Sequence, residues 1–222
     1  MGKTILTAEQ QKLLSLLTKE KTFISRFYLT GGTALAEYYL HHRLSEDLDF
    51  FSEEEVELLP IQAFLKKNQV LLGFKKIQFN TAFNRSLFFV FFPRNYILKV
   101  EFTYFPFKPL DKFKKANDIS VDSLIDIAVN KVFTIYQNPR SRDFIDLYII
   151  LQKESWKIAD LYKKARLKFD WHVDPIKLAD QFIKVKRLLK IDYPKMLVPF
   201  NRKKMEEFFL AEAKKLKKEI LK

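Results

Sequence analysis

Two aspartates one residue apart, Asp47 and Asp49 in Glu46-Asp47-Leu48-Asp49-Phe50-Phe51, have the spacing in this chain that most directly suggests chemistry. Alternate side chains of an extended segment share a face, so both carboxylates point one way while Leu48 and Phe50 point into a core. Two such carboxylates repel each other unless a cation lies between them. Their oxygen donors suit Mg2+ or Mn2+, which also take phosphate oxygens and water into their shells. Upstream, Leu29-Thr30-Gly31-Gly32-Thr33 closes a strand-like run with a glycine pair. Gly31 and Gly32 permit close backbone approach to a phosphate, and a helix starting at Thr33 turns its free N–H groups toward the same anion. Taken singly these features are a tight turn and a solvated strand end. At this spacing they predict a metal site that activates a nucleoside triphosphate.

Glu101, in Leu98-Lys99-Val100-Glu101-Phe102, interrupts an otherwise apolar strand-like run and is a candidate third metal ligand if that strand lies beside DLDFF. The alternative is a salt bridge on the polar face, since Lys99 shares that face. Ser45 lies two residues before Asp47, as a phosphate contact or as the donor of a local turn hydrogen bond.

A second cluster lies further along. Between Ser123 and Tyr136 only Asp126 and Lys131 are charged, which predicts a buried helix with an ammonium that needs a partner. The partner is either Asp143 or Asp146, or the phosphates of a bound nucleotide. Arg140, Arg142, Asp143 and Asp146 follow in NPRSRDFIDLYII, where Arg142, Asp143 and Asp146 project from neighbouring helical positions. A structural ion-pair network and a nucleotide-binding role are both open, and they can coexist. His41, His42 and His172 read as surface or packing residues.

These residues need elements to position them. TAEQQKLLSLL reads as a helix capped by Thr7, Arg26 to Thr30 as a strand, about Thr33 to His41 as a helix, and DLDFF as a second strand, after which the acidic run Ser52 to Glu57 opens another helix. FKKIQFNTAF, SLFFVFF and YILKVEFTYF read as three further strands, giving a mixed sheet of about five. Phe107 to Asn117 reads as a linker, and from about Asp118 the pattern is helical: two helices in SLIDIAVNKVFTIY and SRDFIDLYIILQ, then Ile158 to Leu167, Pro175 to Leu189 and a lysine-rich terminal helix. The expectation is an α+β protein, with a nucleotidyltransferase-type mixed sheet and flanking helices over 1–110 and a C-terminal helical bundle over 111–222.

The 222 residues carry a net charge of +13, with 14 basic and 11 acidic side chains in 1–110 but 26 and 16 in 111–222. The basic second half suits a polyanion such as RNA, or is simply a solvated lysine-rich surface. With no cysteine and three scattered histidines, disulfides and thiolate or zinc sites are excluded or disfavoured. No run approaches the roughly 20 apolar residues of a membrane span, MGKTIL lacks both a signal-peptide core and the Ser or Thr of a myristoylation pattern, and a cytoplasmic protein is expected.

LTGGTALAEYYLHHRLSEDLDFF followed by AVNKVFTIYQNPRSRDFIDLYIIL resembles the AbiEii/AbiGii toxin family of nucleotidyltransferases, within the DNA polymerase β-like superfamily. The resemblance implies that Gly31, Gly32, Asp47 and Asp49 form the nucleotide and metal motif, with Thr33, Arg43 and Ser45 beside it. It implies that Lys131 binds phosphate, with Arg142 and Asp143 at the nucleotide, and that Asp146 assists proton transfer. The family's toxins act in type IV toxin–antitoxin and abortive-infection systems, so a cognate antitoxin is an implied partner. Related members transfer nucleotides to tRNA ends. Glu101 has no counterpart in the matched motifs. Two other functions fit the same residues: a non-catalytic nucleotide-sensing or RNA-binding protein that kept the fold, and nucleotidyl transfer to a protein or small molecule.

Overall fold

The computed structural model describes residues 4–220, so the Met1-Gly2 start lies outside the described residues. The chain divides into two compact units: residues 1–39 with 44–123, and residues 40–43 with 124–222.

The first unit opens with α1 (Ala8–Leu17), where Thr7 forms a capping box with Gln10. A short α2 (Lys21–Ile24) leads to β1 (Tyr28–Thr30) and α3 (Gly31–Leu35), which relaxes into a single π-helical turn at Ala36–Leu40. Then come β2 (Leu48–Ser52), α4 (Leu58–Lys67), α5 (Gln69–Leu72), β3 (Lys76–Ala82), β4 (Arg85–Phe91), β5 (Ile97–Tyr104), β6 (Lys114–Ala116) and β7 (Ile119–Val121). The strands form one mixed sheet in the order β3-β4-β5-β2-β1-β7-β6. Parallel pairs β2–β5 and β1–β7 sit among antiparallel ones. β2 alternates as its sequence requires: Leu48 and Phe50 are fully buried, and Phe50 stacks on Phe102 at 5.1 Å in a core shared with Phe27 and Phe64.

The sheet has seven strands rather than five, and Phe107 to Asn117 is not simply a linker. Lys114–Ala116 pairs with Ile119–Val121 across Asn117 and Asp118, both at positive φ (46° and 64°). Asn and Asp tolerate that conformation, but three-residue strands are too short to show alternation. The first unit therefore runs to Ser123, past the 110/111 boundary expected from sequence.

The second unit contains α6 (Leu124–Gln137), α7 (Ser141–Lys153), α8 (Ile158–Phe169), α9 (Pro175–Ile183), α10 (Val185–Ile191) and α11 (Arg202–Ile220). Pro175 to Leu189 is two helices, not one, broken at Lys184. α6 packs on α7 and α8, and α11 packs on α9. Phe144, Phe182 and Phe209 meet at centroid distances of 4.9–6.4 Å to form the core. Lys168 reaches inward to Asp126 at 2.6 Å, so this buried ammonium has its counter-charge.

Candidate active site

Sheet register brings the acidic residues of the first unit together. β1–β2 pairing sets Thr30 opposite Asp49, and parallel β2–β5 pairing sets Asp49 beside Glu101 while Phe50 falls beside Phe102. Paired residues of neighbouring strands share a face, so Asp49 and Glu101 project the same way. Asp47 lies in the turn just before β2, and its backbone carbonyl accepts a hydrogen bond from the Thr33 hydroxyl. Ser45 is fastened similarly: its carbonyl accepts from the Gln10 amide at 3.1 Å.

Gly31 has a more specific task than the sequence suggested. At φ +74° it adopts a conformation that disfavours other residues, and a Cβ there would stand 2.3 Å from Asp49 Oδ2. The absent side chain is what allows the Asp49 carboxylate to lie against the β1–α3 turn. Helix α3 begins at Gly31, not Thr33, and is one short turn containing Gly32 and Thr33.

Glu101 is buried and held by neighbours. Arg85 grips both its oxygens at 2.7 Å, Thr103 donates to Oε1 at 2.9 Å, and Lys99 lies 3.5 Å away. Burial alone would raise its pKa, but the Arg85 hydrogen bonds and charge, with help from Thr103 and Lys99, hold it below its ordinary value. Lys99 also reaches Asp47 at 3.3 Å. Among the described residues no group of three or more acidic or histidine side chains is arranged to hold a metal ion, and both oxygens of Glu101 are engaged by Arg85. Asp47 and Asp49 remain as a pair of hard oxygen donors, and the Lys99 ammonium beside Asp47 marks a place that favours positive charge. Such a pair fits a hard divalent ion that completes its shell with phosphate oxygens and water.

The second cluster is assembled within the helical unit. Lys131 of α6 lies 2.8 Å from Asp143 and 2.7 Å from Asp146, both on α7. Arg43 binds Asp146 through Nε at 2.6 Å and Nη2 at 2.8 Å, and His42 Nε2 donates to Asp146 Oδ1 at 2.8 Å. Arg140 closes the helix start, its backbone N–H and its Nε both donating to Asp143 Oδ2. Asp143 and Asp146 are fully buried, Arg43 is 2% exposed and Lys131 7%. Burial would raise the Asp146 carboxyl, yet Arg43 and then Lys131 hold it well below the usual carboxylate range; Lys131 and Arg140 lower Asp143 likewise.

The geometry separates residues that the sequence grouped together. Lys131, Asp143 and Asp146 meet, and Arg43, expected at the nucleotide, meets them there with its guanidinium engaged by Asp146. Arg142 is half-buried and pairs with neither aspartate. His42, read as a surface or packing residue, is a member of the network, with Nδ1 buried and unpartnered. Nothing local could have linked Arg43 to Asp146, which are 103 positions apart.

The family model for the nucleotidyl transferase AbiEii toxin of type IV toxin–antitoxin systems matches residues 15–215. An uncharacterized protein of Aquifex aeolicus strain VF5, aq_aa25, is 30% identical over 149 residues, which is 64% of this chain and 66% of that relative's length. Two Helicobacter pylori structures share the fold: one described as a nucleotidyltransferase (TM-score 0.58, 19% identity, covering 96% of this chain and 97% of that one), and JHP933 (TM-score 0.57, 18% identity, 96% and 94%). The matched residues take in both the paired aspartates at β2 and the buried network of α6 and α7, and the chain belongs to the AbiEii nucleotidyltransferase toxin family.

Proposed function

We propose that this protein transfers a nucleoside monophosphate from an NTP to RNA, with tRNA as the acceptor, and that Asp47 and Asp49 hold the Mg2+ or Mn2+ the reaction needs. The observation carrying this reading is the seating of Asp49 against Gly31, which no residue with a Cβ would permit, beside the half-buried Asp47. The reaction is an in-line displacement: an acceptor hydroxyl oxygen bonds to the α-phosphorus as its proton passes to solvent, the bond from the α-phosphorus to the oxygen bridging it to the β-phosphate breaks, and pyrophosphate leaves. A bound divalent ion would supply neutralisation of the charge that develops on the phosphates. Lys99 and Arg85 hold Asp47 and Glu101 in place beside it, and Thr33 fixes the Asp47 turn.

Lys131, Arg43, Asp143 and Asp146 act in this reading as a positioning network. Asp146 is ionised and surrounded by donors, which suits it to orient Arg43 and Lys131 rather than to accept a proton. A cognate antitoxin is proposed as a partner on family membership. No helix among the described residues is long and apolar enough to cross a membrane. The cytoplasm, where NTPs and tRNA are found, is the compartment this reading assumes.

Incubation with Mg2+, each α-32P-labelled NTP in turn and total cellular RNA, beside an Asp49→Ala control, tests the proposal. Label in tRNA-sized RNA with the wild type alone is the expected result. Labelling that survives Asp49→Ala sinks the assignment. NTP binding without any labelled RNA points to a protein or small-molecule acceptor, or to a nucleotide sensor.

A further inference from the structure

We infer that the exposed face of α10 and the segment after it, Lys184 to Lys195, is the surface on which this protein holds single-stranded RNA. The inference rests on RNA being the acceptor. α10 is fastened to its unit by only two fully buried side chains, Val185 and Leu189, whereas Lys184, Lys186, Arg187 and Lys190 are all exposed. At about 100° per residue Lys186, Arg187, Lys190 and the exposed Ile191, with Lys184 at the N-cap, fill one continuous arc of about 160°. Lys195 and Tyr193, an aromatic ring 44% exposed, continue the strip, and Asp192 is its single acid.

The contrast with α11 locates the inference. That helix is also rich in lysine, but Arg202 pairs with Glu206, Lys215 with Glu212 and Lys217 with Asp180, and its remaining exposed lysines fall in two separated groups, Lys203 with Lys204 and Lys214 with Lys218, with the exposed Glu207 between them. The four cations of α10 make no ion pair or side-chain hydrogen bond among the described residues. Uncompensated cations on one face, with an aromatic ring in the strip, match the needs of a single-stranded polyanion: charge neutralisation along the backbone and a surface for base stacking. The strip does not suit a bilayer, because the exposed Ile191 lies among the cations instead of opposite them, and the helix's apolar side is already packed in the core.

The strip is also anchored. Past Tyr193 the chain turns back so that Met196 forms a β-bridge with Arg43, and Leu197 N–H donates to the His42 carbonyl at 2.8 Å. The basic surface is thereby fixed to the segment whose side chains hold Asp146.

Binding of a fluorescein-labelled single-stranded RNA of about 15 nucleotides, near the upper site size of a stacking groove, is measured by anisotropy across a salt series, without NTP. The full chain is compared with the variant K184Q/K186Q/R187Q/K190Q and with K203Q/K204Q/K214Q/K218Q, which removes the same charge from α11. The expected result is a loss of affinity on the order of tenfold or more for the α10 variant at 0.1 M salt. Its log–log salt slope should be shallower by about 3, and the α11 variant should change much less. Should the quadruple variant fail to melt like the parent, the pairs K184Q/K186Q and R187Q/K190Q are expected to share the loss.

Equal losses for α10 and α11, or no loss for α10, overturn the surface. If RNA is nevertheless labelled from NTP, the acceptor reading survives that failure. A wild-type chain that neither binds nor labels RNA overturns both. Competition by polyglutamate or anionic vesicles as effective as unlabelled RNA also overturns the inference, in favour of an acidic protein or a lipid surface.

Discussion

The acidic residues of the sheet and those of the helical unit are the same chemical groups under opposite compensation. Asp47, Asp49 and Glu101 stand with Lys99 and Arg85, so carboxylates outnumber the cations, and Asp47 keeps 27% of its side-chain surface open. Asp143 and Asp146 are fully buried, with Arg43, Lys131, Arg140 and the His42 N–H closing on them. An under-compensated, partly open pair retains the capacity to bind a cation. An over-compensated, dry pair has none left and serves instead to fix other groups. In the proposed function, identical residue types thus divide into reaction and architecture according to what surrounds them.

The comparison breaks most visibly if Asp49→Ala leaves RNA labelling intact. The expected loss is on the order of 10³-fold, corresponding to the several kcal/mol a metal contributes, with the melting temperature nearly unchanged. Asp146→Asn should behave the other way. Removing one charge of a buried set that includes Arg43 and Lys131 costs about 3–5 kcal/mol, read as a lowered urea midpoint, and activity falls with the folded fraction.

Gly31→Ala sits between the two. Forcing a side chain into a positive-φ position costs about 1–2 kcal/mol, and because the new Cβ meets the Asp49 carboxylate, labelling should fall by more than the stability loss explains. Acidification sharpens the comparison further. Asp143, Asp146 and Glu101 are lowered in the folded chain, so their stabilisation is complete above the unfolded carboxylate range of about 4 and is lost as pH falls through the lower folded values. Melting temperature should hold from neutrality to about pH 5 and drop below about pH 4, and Asp146→Asn should flatten that drop. The smallest effect is expected of Lys99→Gln. Removing the ammonium beside Asp47 should tighten Mg2+ binding measured by calorimetry, by about tenfold or less given that partly exposed charges are screened.

The sequence made the paired aspartates legible because their chemistry is local: one residue lies between them where a strand begins, behind a glycine pair. Lys131 was legible as the lone cation in an apolar helix, and Asp143 and Asp146, which answer it, were among the partners expected. Arg43 was expected beside the nucleotide and not at Asp146, because this partner, 103 positions away, is brought to it only by folding. Glu101 shows a further limit. Its adjacency to Asp49 follows from strand register, but Arg85, which takes up both its oxygens, comes from the far side of β5 and carries no mark in its own neighbourhood. β6 and β7 were missed because three-residue strands are held by their pairing and not by a periodic pattern.

Leu40–Arg43 belongs to the helical unit although the residues on either side of it belong to the sheet unit, so the backbone passes between them three times. Inheritance is constrained by that path. A single crossover between residues 44 and 123 would exchange residues 124–222 and leave Arg43 behind, separated from the aspartate it holds. Replacement at position 43 would leave the buried Asp146 carboxylate with one cation fewer, so a compensating change at 146 is the expected companion of a change at 43.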